Sequence, residues 1–283
     1  MRTFRFCDGF LRRAAVSMNE FLLSSRVREW SPAEVPGTVF VFSPHYDDET
    51  LGAGGAILKL AESGIAVHLV FLTDGSRSHS QAMDGAALSI LRREESMRAA
   101  ARLGVRPERI TFLEFPETRL FQHRADARER ITQLLAHGDC KCVFVPARIE
   151  PLVWSSDHRV TTEIVFDSLS GTKINFLIVE YPVWFWYHWP WVPICRGEDT
   201  RQLLKLTSQN FFGAKAWMNF NASLDIEEVR LRKYEALQEY KTQMTRLATD
   251  KPWPVLSDVA QGEFLAQFFA SREYFRVWAY RGQ

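Results

Sequence analysis

The chain has 283 residues, 46% of them hydrophobic, with 35 Lys and Arg against 34 Asp and Glu. That length holds one large domain or one and a half ordinary ones, and that apolar content builds a sizeable core rather than a disordered chain. A formal net charge of +1 with no basic stripe removes the electrostatic case for nucleic-acid binding. Four cysteines, Cys7, Cys140, Cys142 and Cys195, form no Cys-x-x-Cys pair and read as reduced thiols of a reducing compartment. The basic segment Met1 to Arg13 is followed by no apolar run long enough for a secretory signal. No stretch reaches the length of a membrane span either, so the expected location is the cytoplasm.

Phe10 to Trp30 spaces Phe10, Ala14, Met18, Phe21, Leu22 and Trp30 among arginines. It predicts an amphipathic helix packed on the domain, with peripheral membrane contact as the alternative. Val39 to Phe42 is a run of β-branched and aromatic residues, a strand buried on both faces. Pro44 stops it, and His45, Asp47, Asp48 and Glu49 follow at once. Thr50 then offers an N-cap, and Leu51 to Glu62 carries a helical pattern. The polar cluster therefore lies on a strand-to-helix turn at the carboxyl end of a strand, where open α/β sheets bind ligands. Three adjacent carboxylates repel one another unless a cation or solvent holds them. A solvated acidic turn favoured by the helix dipole is the bland alternative.

A second strand, Ala66 to Thr73, ends in the polar loop Asp74 to Ser80, where His79 reads as a solvated loop histidine. The helix Ala87 to Leu103 has Arg92, Arg93, Glu94 and Glu95 near its opening turns and stops at Gly104. Strand Arg109 to Phe115, helix Arg124 to His137 and strand Lys141 to Pro146 follow. Trp154 to Arg159 opens the next helix, Val160 to Leu169, and puts a second imidazole, His158, at a second strand-to-helix connection. Lys173 to Tyr181 is the fifth strand. This alternation predicts an α/β fold with a Rossmann-like, mostly parallel sheet flanked by helices. From Tyr181 to Trp191 aromatics crowd between prolines, a loop that reads as a stacking wall for substrate. Core closure and a lip at a bilayer interface are its alternatives. Thr200 to Ser208 and Leu224 to Leu247 read as helices, the second with a solvated charged face, and Gly262 to Tyr280 is rich in aromatics. The expectation is a single domain over 1–283: an α/β core over about 36–182, then the aromatic loop and a C-terminal helical extension over 183–283.

His45, Asp48 and His158 together offer two nitrogens and one oxygen, the ligand set of an open catalytic zinc site with water in the remaining position. At these residues the sequence resembles a known family. Pro44-His45-Tyr46-Asp47-Asp48-Glu49 is similar to the His-Pro-Asp-Asp-Glu signature of the PIG-L, or LmbE-like, zinc-dependent deacetylases, and Asp157-His158-Arg159 resembles their second metal motif. Leu72 to Gly75, the helix around Arg92 and Phe112 to Glu117 extend the likeness over roughly the first two-thirds of the chain. The resemblance implies one Zn2+ per chain on His45, Asp48 and His158; Fe2+ is possible, because such ligands suit several divalent ions. It also implies Asp47 as general base, Arg92 and Glu117 on the substrate, and an N-acetyl-amino-sugar substrate, soluble or lipid-linked. Asp157 is expected to orient an imidazole or the base.

Two positions depart from the family pattern. Ser155 stands where many members carry a histidine thought to stabilise the oxyanion, and a serine hydroxyl donates a hydrogen bond without charge. Arg148 or His188 is a candidate for the missing donor. Tyr46 stands where proline is usual. Two other readings remain at this point. One is a metal-dependent amidase or phosphoester hydrolase, for which Gly52-Ala53-Gly54-Gly55 is the only phosphate cradle in the sequence. The other is a non-catalytic sugar-binding scaffold. The sequence leaves the oligomeric state, acyl group and aglycone open.

Overall fold

The computed structural model describes residues 9–137, 139–152, 155–194 and 200–282. Cys7, Trp154 and Cys195 lie outside them, while Cys140 and Cys142 are buried free thiols. The chain opens with helix α1 (Phe10–Ser24) and a two-residue strand β1 (Arg28–Glu29). Trp30 is not the end of a long helix; it is buried with its ring edge-on to Phe144 and Phe275, 5.9 Å from each. The alternating core follows: β2 (Thr38–Ser43), α2 (Asp48–Glu62), β3 (Val67–Thr73), α3 (Gly85–Arg102), β4 (Ile110–Phe115), α4 (Arg124–His137), β5 (Cys140–Pro146), α5 (Asp157–Leu169) and β6 (Phe176–Tyr181).

These five strands pair in parallel, and β2 lies at the centre with β3 on one side and β5 on the other. Val39 and Val41 face one apolar core and Phe40 and Phe42 face a second, so both faces of β2 are covered and its sequence is apolar throughout Val39 to Phe42. The chain leaves β2 toward β3 and returns on the opposite side at β5. The loops after β2 and β5 therefore diverge, which opens a crevice at their carboxyl ends.

The last third departs from a purely helical extension. It contains α6 (Thr200–Gln209), α7 (Lys215–Asn219), β7 (Ala222–Asp225), α8 (Arg230–Leu237), α9 (Lys241–Met244), α10 (Glu263–Ala266) and β8 (Arg272–Tyr280). β8 pairs antiparallel with β6 and with β7, giving an eight-stranded mixed sheet in the order β1-β7-β8-β6-β5-β2-β3-β4. Its buried residues alternate, Glu273, Phe275 and Val277, a period of two that the density of aromatics conceals in the sequence. The single helix expected over Leu224 to Leu247 is instead a strand and two short helices. Lys233, read as solvated, is buried with its Nζ 2.8 Å from Glu273 and 2.7 Å from the Phe268 carbonyl.

Glu273 in turn accepts the Gly55 and Ala56 amide hydrogens at 2.8 and 2.9 Å, which ties β8 to α2. The glycines of α2 serve this packing. A Cβ on Gly52 would lie 2.3 Å from the Tyr181 ring and one on Gly55 2.4 Å from Ile226, so the run is a close-approach surface rather than a phosphate cradle. The aromatic loop is also core closure. Phe185, Trp186, Tyr187, His188 and Trp191 are buried and meet edge to face, which corrects the stacking-wall expectation for these rings, while Trp184 of the same loop lines the cleft described below. Among the described residues no helix is long and apolar enough to cross a membrane.

Candidate metal centre

The turn after β2 is held by its third carboxylate. Glu49 is fully buried; its Oε1 accepts the Tyr240 and Thr50 hydroxyl hydrogens at 2.6 and 2.5 Å, and its Oε2 accepts the Asp47 amide hydrogen at 3.2 Å. Thr50 is thus inside α2 rather than at its cap. Asp47 holds the cap position with φ 112°, a conformation that side chains avoid and that the surrounding bonds impose. Tyr240 belongs to the last third of the chain, so that region helps set the geometry of the motif.

His45 Nδ1 and His158 Nε2 lie 3.1 and 3.2 Å from the same oxygen, Oδ2 of Asp48. The three donor atoms all fall within 4.8 Å of one another. His158 Nε2 is buried and, despite that proximity, makes no aligned hydrogen bond, which is the state of a lone pair aimed at a position between the three groups. Each imidazole is backed by a further carboxylate. Asp157 Oδ2 is 3.3 Å from His45 Nε2 and accepts the Thr118 amide hydrogen at 2.7 Å. Glu150 Oε2 is 3.5 Å from His158 Nδ1, and Glu150 accepts the amide hydrogens of Val183, Trp184 and Phe185 at 2.7, 2.8 and 3.2 Å. Such partners fix ring orientation and tautomer in metal sites.

The charges point the same way. Burial opposes ionisation of both His45 and Asp48, yet the imidazole is held well above its usual range by Asp157 and Asp48, and the carboxyl well below its own by His158 and His45. Two imidazole nitrogens with one carboxylate fit a divalent ion. Burial pushes Glu150 up to about 7, against the pull of His158 and the three amides.

The donors form the floor of a cleft of about 490 Å³ that Asp47, Arg92, Glu117 and Ser155 also line. Burial and the neighbouring Asp48 raise the Asp47 carboxyl well above its usual range, while Arg92, 3.8 Å away, opposes the shift. Arg92 is itself buried, donating to the Tyr46 carbonyl at 2.6 Å and the Ser78 hydroxyl at 3.3 Å, and lies 3.9 Å from Glu117. Tyr46 fits in place of proline because Gly75 (φ 66°) yields to its ring; a Cβ there would stand 2.6 Å away. Glu117 accepts the Arg77 amide hydrogen at 2.6 Å, and Ser155 Oγ accepts that of Asp157 at 3.0 Å.

Neither proposed replacement for the oxyanion donor reaches the cleft. His188 is fully buried, donates through Nδ1 to the Phe185 carbonyl at 2.6 Å, and burial lowers it to about 4. Arg148 is drawn to Glu180, 3.1 Å away. His79 is a further correction: it is buried in the cleft wall, stacked on Trp253 at 4.4 Å and bonded to the Pro254 carbonyl at 2.8 Å. Sequence reading missed Glu150. The signal was an acid close after the apolar strand β5, in the connection that leads to His158. The aromatic loop supplies Trp184 to the cleft, but sequence reading missed the rest of the apolar roof, formed by Leu51, Val255, Leu256 and Val259.

Residues 40–169 match the family model described as PIG-L, GlcNAc-PI de-N-acetylase. A diacetylchitobiose deacetylase of Thermococcus kodakarensis is 35% identical over 122 residues, 43% of this chain and 45% of that protein, so the chain aligns with less than half of that relative's length. Among solved structures, N,N'-diacetylchitobiose deacetylase of Pyrococcus horikoshii superposes with a TM-score of 0.64 at 22% identity, covering 96% of this chain and 93% of that one. The A40926 pseudoaglycone deacetylase Dbv21 gives 0.56 at 18% identity over 87% and 98% of the two chains. GalB, a 4-carboxy-2-hydroxymuconate hydratase of Pseudomonas putida, gives 0.53 at 19% over 87% and 97%. These structural likenesses establish the α/β fold, which in these structures carries more than one reaction. The stretch that matches the PIG-L family model, residues 40–169, holds all three donors of the candidate metal centre.

Proposed function

We propose that the chain is a zinc-dependent hydrolase that removes the N-acetyl group from an N-acetyl-amino sugar, with His45, Asp48 and His158 holding the metal and Asp47 as general base. The observation that carries this reading is the convergence of three donor atoms within 4.8 Å on the floor of a cleft that Asp47 also lines. A zinc ion on these residues supplies Lewis acidity to a water molecule and to the amide oxygen. Asp157 holds the Nε2 hydrogen of His45 and leaves Nδ1 as the donor; Glu150, beside Nδ1 of His158, leaves Nε2.

Asp47 takes the proton of the attacking water. Burial and Asp48 raise its carboxyl above the usual range, which strengthens it as a base, while Arg92 favours its charged form. The same carboxyl returns the proton to the departing amine. Ser155 presents a neutral hydroxyl at the cleft wall, and Glu117 an acceptor for sugar hydroxyls. The roof of Leu51, Trp184 and Leu256 packs on the apolar side of the substrate and excludes water.

The test is acetate release by zinc-loaded protein from a panel of N-acetylglucosaminyl compounds, soluble and lipid-linked. Asp47→Asn should cut release by about 10²–10⁴-fold with zinc still bound. Zinc binding without release from any member would redirect the enzyme to another amide. Failure to bind zinc would end the hydrolase reading.

A further inference from the structure

A second cavity, of about 780 Å³, opens between the loop after β5 and helix α6, and Arg148, Arg159, Arg201, Lys205 and Lys215 line it. Arg148 is fixed there by Glu180 and lies over the rings of Phe166 and Trp278 at 5.3 and 5.2 Å. Arg201 and Lys205 stand one turn apart on α6, both exposed, and among the described residues neither has an anionic partner. On a chain of net charge +1, this is a local concentration of cations facing a concave surface.

Beside it stands an unusual backbone. Phe211 and Phe212 both adopt positive φ, 49° and 54°, and both rings are exposed, at 59% and 62%. A bulky residue in that region is strained, and here two in succession turn their rings toward water. The segment is held by the Gly213 amide on the Asn210 carbonyl at 3.0 Å. Lys215 joins the two features, lining the cavity with its Nζ 5.6 Å from the Phe211 ring.

We propose that this face docks on an anionic bilayer, with lipid phosphates in the cationic cavity and Phe211 and Phe212 entering the interface. Charge complementarity selects the occupant: aromatic rings beside lysine and arginine suit the boundary between headgroups and acyl chains, and a neutral partner would leave Arg201 and Lys205 unanswered. Glu150 lines this cavity and stands 3.5 Å from His158, so docking here would put the metal centre one loop away from the lipid surface. The proposal does not depend on the reaction at that centre, because binding is measured without turnover.

The experiment is co-sedimentation of the full chain with phosphatidylcholine vesicles and with vesicles also containing phosphatidylglycerol, at low and high salt. Binding to the anionic vesicles only, weakened by salt, is expected. The double variant Arg201→Glu/Lys205→Glu should weaken it by at least about tenfold. Phe211→Ser/Phe212→Ser should weaken it as well, with circular dichroism and metal content unchanged in both. No vesicle binding, equal binding to neutral vesicles, or binding that survives charge reversal would overturn the proposal. So would saturable uptake of inorganic phosphate without vesicle binding. Self-association in light scattering that the Phe211→Ser/Phe212→Ser variant abolishes would assign the face to a second copy and overturn it too.

Discussion

Two buried assemblies of acids and bases lie on either side of α2, and they are satisfied to different degrees. Behind the helix, Lys233 bonds Glu273 and the Phe268 carbonyl, while Glu273 takes the amide hydrogens of Gly55 and Ala56 at 2.8 and 2.9 Å. In front of it, His45, Asp48 and His158 crowd together, both nitrogens of His158 lack an aligned hydrogen bond, and the group faces a cleft. Both are buried and both carry charge. What separates a strut from a site is the lone pair left over and the cavity it points into.

The sharpest break in that contrast is His158→Ala. It removes one of three donors and should reduce both stoichiometric metal binding and acetate release to background, read by metal analysis and by an acetate assay. The corresponding cut in the strut, Lys233→Met, should leave metal binding intact in the folded protein. It strands Glu273 without its cation, and a broken buried pair costs about 3–5 kcal/mol, measurable by denaturant unfolding. Adding Glu273→Gln to Lys233→Met should recover part of that loss, since the stranded charge and not the missing contact is the main cost.

Between these extremes lies Asp157→Asn. The amide can still accept from Thr118 but loses the negative charge behind His45. Metal affinity should fall about 10–100-fold with little change in unfolding free energy. A fall no larger than that of an exposed control substitution would return Asp157 to the structural class.

The legible parts of the sequence were those where one requirement acts alone. Parallel strands covered on both faces need apolar residues throughout, so β2, β3 and β5 stand out as runs, and the polar turns at their ends stand out against them. His45, Asp47, Asp48 and His158 could be named for that reason. β8 was concealed because four of its nine positions are aromatic whichever way they face. Lys233 misled because a long charged side chain on a helix is ordinarily solvated, and only Glu273, forty residues later, makes its burial possible. Glu150 depends on the amides of Val183, Trp184 and Phe185, and His188 was taken into the core by the same loop. Tertiary neighbours decide such roles, and local pattern offers at most the position of Glu150 between β5 and His158.

The roof of the cleft tests the contrast most finely, because it joins the two regions. The floor comes from the family-matched core, whereas Val255, Leu256 and Val259 come from the last third. Leu256 is buried against the cleft and is not among the groups proposed to handle the reacting atoms. Its truncation should therefore weaken substrate and transition state alike. Leu256→Ala is expected to raise KM by roughly five- to thirtyfold, about 1–2 kcal/mol, with kcat unchanged. A loss in kcat at constant KM would mean that the roof grips only the transition state. No change in either would mean that the substrate stops short of it, and selectivity would then rest on the floor alone.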